Sequence, residues 1–202
     1  RRASLLPRRS RSSLVLVSGL FITFEGGDGV GKSTQLRLLA ERVAASGREV
    51  VTTREPGGTE LGVEIRNIVL HHRGEIAPRA EALLYAADRA HHIETLVRPA
   101  LDRGAVVVQD RYFDSSVAYQ GAGRVLAGDE IRDISMWATG NLIPDLTVLL
   151  DLDPSAARVR LDAEDKEFDR LESEKAEFHT RVRDGFLELA SDEPARWLVI
   201  DA

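Results

Sequence analysis

Along this chain, short runs of β-branched and apolar residues alternate with longer stretches in which apolar positions recur every three or four residues. Five short runs read as strands, at residues 20–24, 49–53, 105–109, 146–152 and 197–200. Val106, Val107 and Val108 show no polar alternation, which predicts a strand buried on both faces and central in its sheet. The longer stretches predict helices over 34–46, where Gly47 supplies a stop, and over 59–71, 79–103, 129–138 and 170–190. Pro99 predicts a break or kink late in the third of these. Strands alternating with helices in this way specify an α/β fold, a five-stranded parallel sheet with helices on both faces. A chain of 202 residues with no internal repeat or low-complexity linker fits one domain.

Composition narrows the function classes. Charged residues make up 30% and hydrophobic ones 43%, as in ordinary globular proteins. There is no cysteine, which excludes disulfides, thiolate catalysis and cysteine zinc sites and fits a cytoplasmic protein. The net charge of −6 is uneven: Arg1, Arg2, Arg8, Arg9 and Arg11 lie in an acid-free stretch, so the remainder is more acidic than the whole. Such a body disfavours broad nucleic-acid binding, and no nucleic-acid partner is expected. The basic stretch and the apolar run LVLVSGLFITF imitate a secretory signal, but no small-residue cleavage site follows. The run is about 11 residues, against roughly 20 needed to span a bilayer, so no membrane association is expected. Residues 1–18 are read as a disordered basic extension and 19–202 as the domain.

The stretch FEGGDGVGKST joins the first strand to the first helix. Gly26, Gly31, Lys32 and Ser33 fit the phosphate-binding pattern GxxxxGK[ST] in the setting that it requires. Glycines let backbone N–H groups converge on phosphate oxygens, and the following helix offers its positive end. Residues Gly26, Gly27, Asp28, Gly29, Val30, Gly31, Lys32, Ser33 and Thr34 are therefore the expected ATP cradle. Lys32 is one of three lysines and would reach the β- and γ-phosphates; Ser33 would help hold Mg²⁺. No Asn-Lys pair, as in a guanine-reading motif, and no LSGGQ-like signature is present, so the phosphate acceptor must be read elsewhere.

Three clusters fall where chain reversals should build a crevice: TREPGGT at 53–59, QDRYFDSSVAYQG at 109–121, and Tyr85 with Arg89, four apart on one helical face. Together with the glycine loop, in this order and spacing, they resemble the thymidylate kinase family from about Leu20 to Glu172. The resemblance implies a P-loop NTPase fold with a short lid at about 153–170, a homodimer, and transfer of the γ-phosphate of ATP to dTMP with Mg²⁺. It implies that Arg54 and Arg111 clamp the acceptor phosphate and that Tyr85 stacks on thymine, in place of a more usual phenylalanine. Arg89 and Gln120 would bond the base edge, Pro56 lies near its methyl group, and Tyr119 crowds the sugar 2′ position. Asp28 matches a carboxylate near the acceptor sugar and the metal, and Asp110 one that supports Mg²⁺ or positions the acceptor.

The catalytic set so implied is Lys32, Asp28, Arg111 and a lid arginine. The glycine-loop position that carries an arginine in some family members is Gly29 here, so the lid must supply the charge. In DLDPSAARVRLDAEDKEFDRLE, residues 151–172, Arg158, Arg160 and Arg170 are available; Arg160 is the first candidate and Arg158 the reserve. A bacterial lid of this type carries a further arginine midway, where this chain has Asp162, Glu164 and Asp165. Asp169, Arg170 and Glu172 match the family's DRxE. After the last strand the family commonly adds another helix.

Rival readings are a related kinase for another deoxynucleotide or a deoxynucleoside, an ATP-binding regulator with a defective lid, and a nucleic-acid module using the basic stretch. A second arginine clamp speaks against an acceptor lacking phosphate, and neither of the last two explains Arg54, Tyr85, Arg89 and Gln120 together.

Overall fold

The computed structural model describes residues 19–122, 126–163 and 168–202; the basic stretch 1–18 and the lid residues Glu164 and Asp165 lie outside them. Five parallel strands, β1 (Leu20–Glu25), β2 (Val50–Arg54), β3 (Val106–Asp110), β4 (Leu146–Asp151) and β5 (Trp197–Asp201), form one sheet in the order β2-β3-β1-β4-β5. The valine run is internal as its pattern requires, with Val106, Val107 and Val108 at most 1% exposed, but the middle strand is β1.

Successive residues of each strand serve opposite faces. Ile22, Phe24, Val106, Val108, Val148 and Leu150 pack on one side with Leu36 of α1 (Lys32–Ala44). On the other side, Phe21 and Val107 pack with Tyr112 and Phe113, while Leu149 meets Phe178, Val182 and Phe186. Burying such a side chain contributes about 1.5–3 kcal/mol. That face also holds polar groups: Arg196 forks onto Asp114 at 2.7 and 2.9 Å and donates to Thr147 Oγ1 at 2.7 Å.

Helix α2 (Glu60–His71) begins where Thr59 Oγ1 accepts the Gly62 N–H at 3.0 Å. The long helical pattern over 79–103 is three pieces: α3 (Pro78–His92), a wider π-helical turn (Ile93–Val97) and α4 (Arg98–Asp102). The wide turn falls just before Pro99, which has no N–H to offer the carbonyl four residues back. A short α5 (Phe113–Ser116) runs into a second π-helical turn (Val117–Ala122), absent from the sequence reading. Next come α6 (Gly128–Thr139), α7 (Pro154–Asp162) and α8 (Ala176–Asp192). Helix α7 was not anticipated as an element, and α8 starts later than 170 because residues 170–173 form a turn. Among the described residues no helix is long and apolar enough to cross a membrane.

Candidate active site

The carboxyl ends of β2 and β3 bring Arg54 and Asp110 to one crevice, with Arg54 and Phe24 both in register with Asp110. Connections leave β1 toward β2 and β3 toward β4, so the crevice lies where the strand order reverses.

The glycine loop lines this crevice. Gly26 has φ 127°, and a Cβ there would stand 2.5 Å from the Leu150 carbonyl oxygen, so only glycine fits. Lys32 curls back over the loop, donating to the carbonyls of Gly26 at 3.2 Å and Gly27 at 2.5 Å. Burial and the neighbouring Arg111 charge push its ammonium down to about 8, against the pull of Asp28. Val30 packs into the core, whereas Thr34 is exposed.

Ser33 Oγ donates to Asp110 Oδ2 at 3.4 Å, while Asp110 Oδ1 is buried with no hydrogen-bond partner among the described residues. A hydroxyl beside an orphaned carboxylate oxygen suits a hard, oxygen-seeking cation such as Mg²⁺. Among the described residues no three acidic or histidine side chains group to hold a metal unaided.

Arg111 organises the crevice. Its backbone is left-handed, φ 65°, held by its N–H to the Phe24 carbonyl at 2.9 Å and by Gln109 Nε2 donating to its own carbonyl at 2.9 Å. The guanidinium donates to Asp28 Oδ1 at 2.5 Å, Ser115 Oγ at 3.0 Å and Tyr119 OH at 3.2 Å. Burial raises the Asp28 carboxyl, but Arg111 and Lys32 outweigh it and hold the group well below the usual carboxylate range. Neither simple neighbour pair forms: Arg111 bonds Asp28 rather than Asp110, and the Glu55 beside Arg54 pairs with Arg89 and His92 instead.

Beside Arg111 opens a cavity whose walls include Pro56, Tyr85, Arg89, Arg111, Tyr119 and Gln120. A second cleft, over the glycine loop, contains Lys32, Arg54 and Arg160 together with the carboxylates of Asp110, Asp169 and Glu172. Asp28, Arg66 and Arg111 belong to both, so the two spaces meet there. One holds an aromatic ring and amide and guanidinium groups; the other holds the glycine loop with Lys32, Ser33 and Asp110.

The family model for thymidylate kinase matches residues 24–202. The chain belongs to the thymidylate kinase family. It is 73% identical to the thymidylate kinase of Clavibacter michiganensis over 92% of this chain and 88% of that relative. To the Leifsonia xyli thymidylate kinase it is 67% identical, covering 91% and 87%. The crystal structure of Ehrlichia chaffeensis thymidylate kinase superposes with a TM-score of 0.76 at 35% identity, covering 91% and 93%. This chain is therefore a kinase on a P-loop sheet.

In this kinase Arg89 is only 2% exposed, and burying a guanidinium is costly unless it is paired. The cost is offset because Nε donates to Glu55 Oε2 at 2.8 Å, Nη1 to Ser135 Oγ at 3.2 Å and Nη2 to Ser116 Oγ at 2.9 Å. Glu55 in turn meets His92 Nδ1 at 2.8 Å, and Asp88 Oδ1 accepts the Gly57 N–H at 3.2 Å. These contacts seat the Glu55–Pro56–Gly57 segment, whose Glu55–Pro56 peptide is cis.

Helix α7, in the segment expected to form the lid, starts at an Asp153 cap, its Oδ1 accepting the Ser155 N–H at 2.9 Å. It lies against Gly29, where a Cβ would stand 2.7 Å from the Ala157 carbonyl oxygen. Arg160 is exposed and lines the cleft over the glycine loop, with no ion pair among the described residues. Arg158 is engaged instead, with Asp162 at 2.9 Å, the Glu172 carbonyl at 3.2 Å and the Phe168 ring at 3.9 Å. At the lid end Asp169 Oδ1 accepts the N–H of Glu172 at 2.9 Å and Glu172 Oε2 accepts that of Asp169 at 3.0 Å, a reciprocal capping box. Arg170 leaves the cleft and pairs with Glu81.

Sequence reasoning missed four participants. Glu25 accepts the Tyr112 N–H at 2.8 Å and the Ser115 hydroxyl at 2.5 Å, and burial with the Asp114 charge pushes it up to about 8. Ser115 thereby links Glu25 to Arg111. Arg66 donates to the Pro56 carbonyl at 3.0 Å, and Glu81 holds Gln120. Only Glu81 had a readable signal, one helical turn before Tyr85 on the same face.

Proposed function

We propose that this kinase converts dTMP to dTDP by direct in-line transfer from ATP. The observation that carries the reading is Arg111, whose guanidinium belongs both to the cleft over the glycine loop and to the cavity with Tyr85 and Gln120. An acceptor phosphate beside Arg111 has its base in the cavity and its anionic oxygen facing the γ-phosphate. That oxygen bonds to the γ-phosphorus as the bond to the β–γ bridging oxygen breaks, and ADP leaves with the bridging oxygen. The attacking oxygen already carries charge, so no base need remove a proton.

In this reading backbone N–H groups of residues 26–34 hold the ATP phosphates, and Lys32 turns from its loop carbonyls onto the β- and γ-oxygens. Ser33 and Asp110 would hold Mg²⁺, which would supply neutralisation of phosphate charge. Arg54 and Arg111 clamp the acceptor phosphate, since a planar fork donates two bonds at once. Asp28 releases part of Arg111 to that phosphate and turns toward the acceptor sugar. Tyr85 stacks on thymine, Arg89 and Gln120 bond its edge, Pro56 packs near its methyl group, and Tyr119 leaves no room for a 2′-hydroxyl. Arg160 supplies the transition-state charge, and the close seat of α7 on Gly29 supports that role.

Leu61 and Ile68 on α2, Leu83 on α3 and the 83% exposed Trp137 on α6 are apolar surface on three adjoining helices. Their covering by a second copy accords with a homodimer. A reaction that consumes ATP with Mg²⁺ accords with the cytoplasm.

The test is ADP release with ATP and Mg²⁺ against dTMP, dUMP, dCMP, dGMP and thymidine, each offered alone. Strong preference for dTMP is expected; equal turnover of several acceptors, or of thymidine, would overturn the reading.

A further inference from the structure

Glu81 is not among the groups that face ATP, and at 1% exposure it is one of the most deeply buried acids in the chain. Its two oxygens hold two different parts of the molecule. Oε1 accepts from Gln120 Nε2 at 3.0 Å, and Oε2 accepts from Arg170 Nη2. Arg170 is itself pinned, its Nε donating to the Val69 carbonyl at 2.9 Å and its backbone N–H to the Leu70 carbonyl at 3.2 Å. On the other side of Arg170 lies the capping box of Asp169 and Glu172 that ends the lid.

An ionised carboxylate can only accept hydrogen bonds, whereas a side-chain amide has one donating and one accepting end. With Arg170 beside it as counter-ion, Glu81 takes the NH₂ end of Gln120. The carbonyl end is then what Gln120 offers to the cavity it shares with Tyr85 and Arg89. A carbonyl there suits a base that presents a ring N–H, as thymine does at N3. It opposes the ring-nitrogen lone pair that cytosine presents at the same place.

We propose that Glu81 is a positioning residue for acceptor choice: it fixes the orientation of the Gln120 amide and, through Arg170, anchors that orientation to the end of the lid. The inference rests on the reading that Gln120 meets the acceptor base. Discrimination then comes from repulsion of the wrong base as much as from attraction of the right one.

The experiment is steady-state kinetics of the full chain with ATP and Mg²⁺, comparing kcat/KM for dTMP and dCMP in the parent and in Glu81→Gln. A glutamine at 81 both donates and accepts, so the Gln120 amide is free to turn either way. The dTMP:dCMP ratio should fall about tenfold, the worth of one misdirected polar contact. Loss of both activities in parallel, with the ratio unchanged, overturns the inference alone. A parent with no preference for dTMP over dCMP overturns the base reading and the inference with it. Should Glu81→Gln not fold, Arg170→Gln removes the anchor from the more exposed side. It should lower the same ratio about threefold, and an unchanged ratio in that variant overturns the proposal.

Discussion

Nη2 of Arg111 donates to Oδ1 of Asp28 at 2.5 Å, joining residues 83 apart in sequence across the mouth of the crevice. The pair holds the arginine in a fixed direction, with the Arg111 side chain 16% exposed; in the proposed reading this aims it at the acceptor phosphate. Arg111→Lys keeps the charge but cannot reach Asp28, Ser115 and Tyr119 together. The kcat/KM for dTMP should fall roughly 10- to 100-fold, the loss of one or two charge-assisted bonds, while the KM for ATP changes little. An equal loss in both substrates would contradict this placement.

Arg160 and Arg158 lie two residues apart on α7 yet should behave differently. Arg160→Ala should lower kcat about 10³-fold, the lower end for an arginine at a transferring phosphoryl group, with the melting temperature unaltered. Arg158→Ala removes contacts to Asp162, Glu172 and Phe168 and should loosen the lid with a smaller effect on kcat. Single-turnover rates and melting curves for both variants separate the roles.

Arg89→Ala removes the guanidinium that bonds the Glu55 carboxylate, inside a site where both side chains are at most 3% exposed. Breaking such a pair costs about 3–5 kcal/mol, so denaturant midpoints should drop in addition to a weaker affinity for dTMP. A variant of unchanged stability would show that the pair is not formed in solution.

The Asp88 carboxyl is pushed up to about 6 by burial and by the neighbouring Glu55, and its Oδ2 has no hydrogen-bond partner among the described residues. A carboxyl whose folded pKa is raised binds its proton more tightly in the native state. Its contribution is full below the unfolded value near 4 and is lost as pH rises through about 6. Asp88→Asn should therefore gain stability relative to the parent between pH 4 and 7. Urea titrations at both ends of that range measure the difference, and a constant offset would refute the assignment.

Asp110→Asn leaves the fold intact but weakens the oxygen expected to hold Mg²⁺. The Mg²⁺ concentration for half-maximal activity should rise about 10- to 100-fold, with the KM for dTMP little changed. Activity titrated against Mg²⁺ at fixed ATP is the check.

The glycine loop, the five strands and the TREPGGT and DRY clusters were legible because each is local. An unbroken apolar run needs no partner to announce a buried strand, and a Gly-Lys-Ser turn between strand and helix carries its own backbone geometry. The short α5 and the lid helix α7 were not legible. They are short or rich in charged and small residues, and α7 rests on its Asp153 cap and its seat against Gly29.

Which charged group meets which was decided only by the tertiary structure. The sequence places Glu55 beside Arg54 and Asp110 beside Arg111, yet the fold gives Glu55 to Arg89 and His92, and Arg111 to Asp28. Glu81 collects Gln120 and Arg170 from 39 and 89 residues away. Apolar burial depends on a residue's own composition and period, so sequence alone determines the sheet and its loop. An ion pair depends on two side chains reaching the same dry place, and that coincidence exists only once the chain has folded.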